Sequence, residues 1–99
     1  MDKNHNPNAG ATIPRADARK MAAAHKAQNP NGLHAEYFGR EHFEKLLAIP
    51  GTKGIMIHRG INDSGQQVHI LDAVDGNLNT VSTDPIEQGQ PCPPFCNTI

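Results

Sequence analysis

Two residues able to do chemistry, Cys92 and Cys96, lie in the segment QPCPPFC of this 99-residue chain. A cysteine pair can bind a metal ion, exchange electrons, form a structural disulfide or pack as small apolar side chains. A structural zinc site takes four ligands, usually from two closely spaced pairs. The sequence has no second cysteine pair and no two histidines three to five residues apart. A thioredoxin-like pair needs C-x-x-C at the start of a helix, whereas this segment is C-x3-C with two internal prolines. The pattern therefore favours a disulfide or a packed tail.

The disulfide and packed-tail interpretations both remain open. A bond between Cys92 and Cys96 closes a five-residue ring, which the tight turn of Pro93-Pro94 favours. Its entropic contribution is small because the loop is short. In a packed tail, Phe95 and the two cysteines fill an apolar gap in the domain. We predict a tail that folds back on the domain, with or without the bond.

Six histidines are scattered over the chain, and the predicted strands contain two of them. If the residues alternate as predicted below, His58 and His69 share the outward face of two paired strands. Such a pair could bind a metal or make a pH-dependent contact, although polar surface residues are the simpler interpretation. We predict His5, Pro7, His58 and His69 as assembly contacts. The chain has no G-x-S-x-G, P-loop or G-x-G-x-x-G motif, so we predict a non-enzymatic protein without a cofactor or metal site.

Two helices precede the strands in the predicted element order. Residues 12–28 form an Ala-rich helix with Thr12 or Ile13 at its cap and Pro14 in the first turn. Residues 40–48 form a second helix after the N-cap Gly39, and NPNG at 29–32 separates the two. Phe38 and Phe43 have the spacing of a hydrophobic staple around that cap.

The period then changes from helix to strand. Residues 53–60 and 66–74 alternate as the two strands of a β-hairpin, with Ile55, Ile57, Val68 and Ile70 predicted to face the core. His58, His69 and Leu71 then face outward. Residues 79–82 add a short third strand, and the Pro-rich tail 83–99 is irregular. We predict one α+β domain over residues 12–99, with two helices packed on a small antiparallel sheet and a polar arm at 1–11.

Composition limits the partners of this domain. Its hydrophobic residues are 36% of the chain and its aromatic residues 4%, so the core is thin and partner contacts would add burial. Nine Lys and Arg against ten Asp and Glu leave no basic surface for nucleic acid. No apolar run approaches the roughly 18 residues of a membrane span. The N-terminal sequence lacks the apolar region of a signal peptide, so we expect a cytoplasmic location by default, with non-classical export left open.

Several motifs of the chain resemble those of a known family. From about Thr12 to Cys96 the chain resembles a family of short, uncharacterised bacterial proteins with a Leu-x-x-Pro-Gly turn, an alternating two-stranded core, a VD-x-x-GN turn and a final C-P-P-x-C. The matching positions are Leu47, Pro50, Gly51, Gly54, Ile55, Ile57, Asp72, Asp75, Gly76, Asn77, Pro91, Cys92, Pro93, Pro94 and Cys96. Many members carry a cysteine after the Pro-Gly turn, where this chain has Thr52. The resemblance implies no particular activity.

These features predict a structural or interaction protein that self-associates into an oligomer or filament. Residues 1–47 carry a net charge of +2 and residues 48–99 of −3 by the counts of their charged side chains, which favours contacts between unlike halves. The arm 1–11 of one copy would lie along the hairpin edge or tail of the next, and such a contact gives a ring or a filament. The alternatives are a small metal or redox module using the cysteine pair, and an adaptor for an unidentified bacterial partner.

Overall fold

The structure is a computed structural model that describes residue 6 and residues 8–99. Its elements follow in the order α1 (Arg15–Gln28), β1 (Ala35–Tyr37), α2 (Arg40–Leu47), β2 (Gly54–Ile61), β3 (Gln67–Val74) and β4 (Gln90–Cys92). Strand β1 pairs with β4 and β2 with β3, which gives two antiparallel sheets of two strands each. The predicted α+β class is confirmed.

Helix α1 begins three residues later than the sequence predicted, because Pro14 occupies the N-cap instead of the first turn. None of its fourteen residues, all of them described, is fully buried. The alanine-rich sequence supplies the helix propensity that packing does not. At the other end, the backbone N–H of Asn29 donates to the carbonyl of His25 over 2.9 Å, and its side-chain Nδ2 donates to the same carbonyl.

Helix α2 anchors the core and has the predicted start and cap, Arg40 and Gly39. It contacts both strands of the hairpin. The core centres on the buried side chains of Leu46, Leu71 and Ala73, against which pack the half-buried Phe38, Phe43, Ile49, Ile55, Val81 and Ile86. The hydroxyl of Thr52 donates to the carbonyl of Leu46 over 3.2 Å, so it satisfies one of the acceptors that a helix C-terminus leaves free.

The hairpin β2–β3 is the longest paired element. Its register places Ile55 opposite Ala73, Ile57 opposite Leu71 and Arg59 opposite His69. In the connecting loop, the Oδ1 atom of Asn62 accepts from the backbone N–H groups of Ser64 and Gln66, each over 3.0 Å. Gly65 has a φ of +79°, a left-handed conformation that favours glycine at this position.

The prediction of which hairpin side chains face the core was wrong at Leu71 and Ile57. Leu71, expected to point outward, is buried in the core with Ala73, and Ile57, expected to be buried, is 58% exposed. Val68 and Ile70 are half-buried on the opposite face. Because α2 covers the hairpin on the side of Leu71 and the segment after β3 folds along that strand, residues 71–74 are buried on both faces. A two-residue alternation cannot reveal a strand end that is covered on both sides.

Beyond β3 the chain contacts the hairpin at two single bridges, Val74 with Thr80 and Leu71 with Ile86, in place of the predicted third strand. The tail is also less irregular than predicted, since β4 pairs with β1 in the register Ala35–Cys92, Glu36–Pro91 and Tyr37–Gln90. Within the described residues, no helix is long and apolar enough to cross a membrane.

Candidate functional site: the open edge of the hairpin

The two edges of the hairpin differ in what occupies them. On β3, three of the four backbone N–H groups that point away from β2 have partners within the described residues; the fourth belongs to Gln67, at the loop end of the strand. The N–H of His69 donates to a Glu36 carboxylate oxygen, that of Leu71 to the carbonyl of Ile86, and that of Ala73 to the Ser82 hydroxyl. The edge of β3 is therefore closed by the chain itself over residues 69–73.

The edge of β2 is open. The N–H of Asn62 donates to the carbonyl of Gln66. Because every second residue of an antiparallel strand bonds to its neighbour, the backbone groups of Met56, His58 and Gly60 also bond to β3. The N–H and C=O groups of Ile55, Ile57, Arg59 and Ile61 consequently point outward. Among the described residues, none of these outward groups has a backbone partner. An unpaired strand edge is a template on which another strand can add.

The side chains of β2 are apolar apart from the exposed His58 and Arg59. Ile57 is 58% exposed and Ile61 is 74% exposed, and Arg59 between them is also exposed. Proteins usually blunt an exposed edge with charged side chains, proline or a short strand, whereas β2 is eight residues long, contains neither proline nor lysine, and has Arg59 as its one charged side chain. Its β-branched isoleucines favour strand pairing.

The accessible surface of the chain is larger than that of a compact monomer. It measures 7744 Å², whereas a compact protein of this mass exposes about 5,500 Å². The radius of gyration of the Cα atoms is 15.1 Å, against about 13 Å for a compact chain of 100 residues. One partner in a standard interface loses about 800 Å², so this chain has ample surface for association to cover.

The two histidines predicted to share a face do not share it. His58 lies opposite Ile70 and His69 lies opposite Arg59 in the hairpin register, so their side chains point to opposite faces. His58 is exposed, whereas His69 is bound through Nδ1 to Glu36 over 3.0 Å. The pair therefore cannot hold a common ligand. The other two predicted assembly contacts, His5 and Pro7, lie outside the described residues.

A buried polar network lies on the face of the hairpin that carries His58. Asp72 accepts hydrogen bonds from the hydroxyls of Ser82 and Thr80, the latter over 2.7 Å. These hydrogen bonds, from Ser82 first and Thr80 second, hold the pKa of the Asp72 carboxyl below its usual value, and the nearby His58 acts in the same direction. With both carboxylate oxygens engaged in this way, the network ties the chain after β3 to the hairpin.

The cysteine pair forms a disulfide, Cys92–Cys96, with Cα atoms 4.8 Å apart. Cys92 is buried at the end of β4, and Cys96 is exposed. Phe95, which we predicted to fill an apolar gap, is 55% exposed instead. The described residues contain no group of three or more His, Cys, Asp or Glu side chains arranged to hold a metal ion. With the two sulfurs bonded to each other, neither is a free thiolate ligand.

Sequence reasoning missed β1 and the role of Glu36 within it. The strand has three residues, and the alternation of so short a segment gives no signal. Gly89 marks its partner region, because a Cβ there would lie 2.7 Å from the carbonyl of Tyr37 and 2.8 Å from Cγ of Glu36. A glycine in a Pro-rich segment often marks such a close backbone approach.

Comparison of the chain with family models, with curated proteins and with solved structures finds no match.

Proposed function

We propose that this protein is a non-enzymatic interaction protein that self-associates by pairing its β2 edge with the β2 edge of a second copy. The observation that supports the proposal is the open, eight-residue edge whose outward backbone groups have no backbone partner among the described residues. The exposed isoleucines beside it would add apolar burial to the backbone hydrogen bonds of the new ladder.

The proposed occupant is β2 itself rather than the N-terminal arm. Residues 1–11 are rich in Asn, Gly and Pro, which are poor strand formers, whereas β2 contains three isoleucines. Two identical strands pair antiparallel about a twofold axis, which gives a closed dimer. The arm remains a predicted second contact, and a second contact would extend such dimers into larger assemblies.

One register of this pairing avoids direct repulsion. If the twofold axis passes beside His58, Ile57 faces Arg59 of the second copy and Ile55 faces Ile61 of the second copy. In this register each outward N–H lies opposite an outward C=O of the second copy. This follows because Ile55, Ile57, Arg59 and Ile61 all direct their backbone N–H and C=O groups away from β3. The two arginines do not oppose each other directly, which like charges on facing strands would make unfavourable.

Light scattering on a sizing column tests the proposal with two edge variants. Ile57→Pro removes an outward N–H that has no partner in the hairpin, and proline is tolerated at such positions on edge strands. Ile57→Lys places a charge on the same edge. We expect the wild-type chain to elute as a dimer or larger particle and both variants as a monomer of 10.7 kDa.

The matched control is Met21→Lys, since Met21 is similarly exposed but lies on α1. It should leave the particle size unchanged. Deletion of residues 1–11 distinguishes β2 pairing from a contact made by the arm. If the β2 edges pair, the shortened chain should still elute as a dimer. If it elutes as a monomer, the arm makes the contact. A wild-type chain that is monomeric at all concentrations would overturn the proposal.

A further inference from the structure

A cavity of about 560 Å³ lies between the end of α1, the connection to β1 and the loop end of the hairpin. Its polar lining comes from His25, Asn29, His34, Arg59, Gln67 and His69. The volume falls within the range of roughly 300–1,000 Å³ that small-molecule sites occupy. The cavity is distinct from the row of outward backbone groups on β2, although Arg59 borders both.

Hydrogen bonds across the cavity hold its walls together. Nε2 of His25 lies 3.0 Å from the carbonyl oxygen of Leu33, to which it donates, so α1 is fixed to the following connection. The N–H of Leu33 donates to Oε1 of Gln67 over 3.2 Å, which fixes that connection to β3. These contacts join the end of α1 and the connection that follows it to β3, more than thirty residues along the chain, and a cavity built this way is formed before a ligand arrives.

The charges around the cavity favour an anion. Among the described residues that line it, none carries a carboxylate, whereas one is an arginine and three are histidines. The Glu36 carboxylate contacts Nδ1 of His69, but Glu36 does not line the cavity. An arginine guanidinium presents a planar fork of donors that matches the oxygens of phosphate and carboxylate groups.

One histidine in the lining has an unmet hydrogen-bonding group. Nδ1 of His34 is buried and has no hydrogen-bond partner within the described part of the chain. The ring of His34 lies edge-on to that of His25, with centroids 5.8 Å apart. Buried nitrogens are nearly always paired, and this one, which has almost no accessible surface, is an exception in the wall of the cavity.

We propose that this cavity binds a small oxyanion, the phosphate or carboxylate group of a soluble ligand, with Arg59 as its principal contact. His34 and His69 lie on the same cavity, and an imidazole ring that is protonated at either position would donate a further N–H to the ligand oxygens. Charged hydrogen bonds of this kind are the strongest that a half-open site can offer. The site does not depend on the β2 pairing proposed above.

The test is an NMR titration of the full chain with inorganic phosphate and, separately, with acetate, at ionic strength held constant with sodium chloride. We expect saturable shifts of the His34 and His69 ring signals with at least one of the two anions. Arg59→Gln should weaken that binding about tenfold, since a charged hydrogen bond is worth roughly that factor. Arg59→Lys, which keeps the charge and loses the fork, should weaken it less.

Arg19→Gln is the control for the lost charge, because Arg19 is exposed on α1 and does not line the cavity. It should bind as the wild-type chain does. Phosphate binding without acetate binding assigns a phosphorylated ligand class, and the reverse assigns a carboxylate. The proposal would be overturned if sodium chloride alone produced the same chemical-shift changes, or if the Arg59→Gln variant showed the same binding as the wild-type chain.

Discussion

One oxygen of the Glu36 carboxylate accepts two hydrogen bonds from His69, from its backbone N–H over 2.8 Å and from its ring Nδ1 over 3.0 Å. The two residues are 33 positions apart and belong to different sheets, β1–β4 and β2–β3. The Glu36 side chain is 4% exposed. This carboxylate therefore links the two sheets, closes one position on the β3 edge and orients a ring that lines the anion cavity.

Replacing Glu36 with alanine should destabilise the domain by about 1–3 kcal/mol, because it leaves the N–H of His69 without its acceptor in a buried position. Glu36→Gln should cost less, since the amide oxygen can accept one of the two bonds. Urea unfolding followed by circular dichroism measures both. The control is Glu44→Ala, which removes an exposed ion pair with Arg40 on α2 and should change stability by less than about 1 kcal/mol. Equal effects at the two positions would contradict this role of Glu36.

Asp72 should make the domain sensitive to acid. Its pKa is lowered in the folded state by the hydroxyls of Ser82 and Thr80, so its ionised form favours folding. This contribution is fully present above the ordinary pKa of an aspartate, near 4, and is lost as the pH falls below that value through the lowered folded-state pKa. Thermal unfolding between pH 7 and pH 2 should show the loss.

The Asp72→Asn variant provides the comparison. It should be less stable at pH 7 by about 1–3 kcal/mol, since charged hydrogen bonds become neutral ones, and its stability should fall less in acid. Part of the acid sensitivity should remain, because the N–H groups of Asn79 and Asn77 also lower the pKa of Asp75. Asp63→Asn, in the exposed hairpin loop, is the control. An unchanged pH profile in Asp72→Asn would contradict the assignment.

Reduction of the Cys92–Cys96 disulfide should lower stability modestly and leave the particle size unchanged. The bond closes a loop of about five residues, and the entropy that this cross-link removes from the unfolded chain is worth about 2 kcal/mol of stability. Both sulfurs belong to one chain, so the bond cannot join two copies. Sizing and urea unfolding with and without reductant check the two parts, and a particle that falls apart on reduction would show that cysteines join the copies.

The predictions that held rest on local signals. Gly39 and the staple spacing of Phe38 and Phe43 located the start of α2, and the turn chemistry between Ile61 and Gln67 located the hairpin. The face of β3 was assigned wrongly because alternation gives the period of a strand and not which side is covered. The sequence predicted docking at a hairpin edge without indicating which strand is open, and the separation of His58 from His69 depends on the register of β2 and β3.

The sequence by itself determined the α+β class, the start of α2 and the position of the hairpin to within a residue, because caps, turns and periodicity act within a few residues of one another. Tertiary structure decided that β1 pairs with β4, that Leu71 and Ala73 form the core, and that Glu36 reaches His69. It also decided which hairpin edge the chain closes and which it leaves open. Such contacts join residues tens of positions apart, and their free energy depends on burial and geometry that no short segment of sequence encodes.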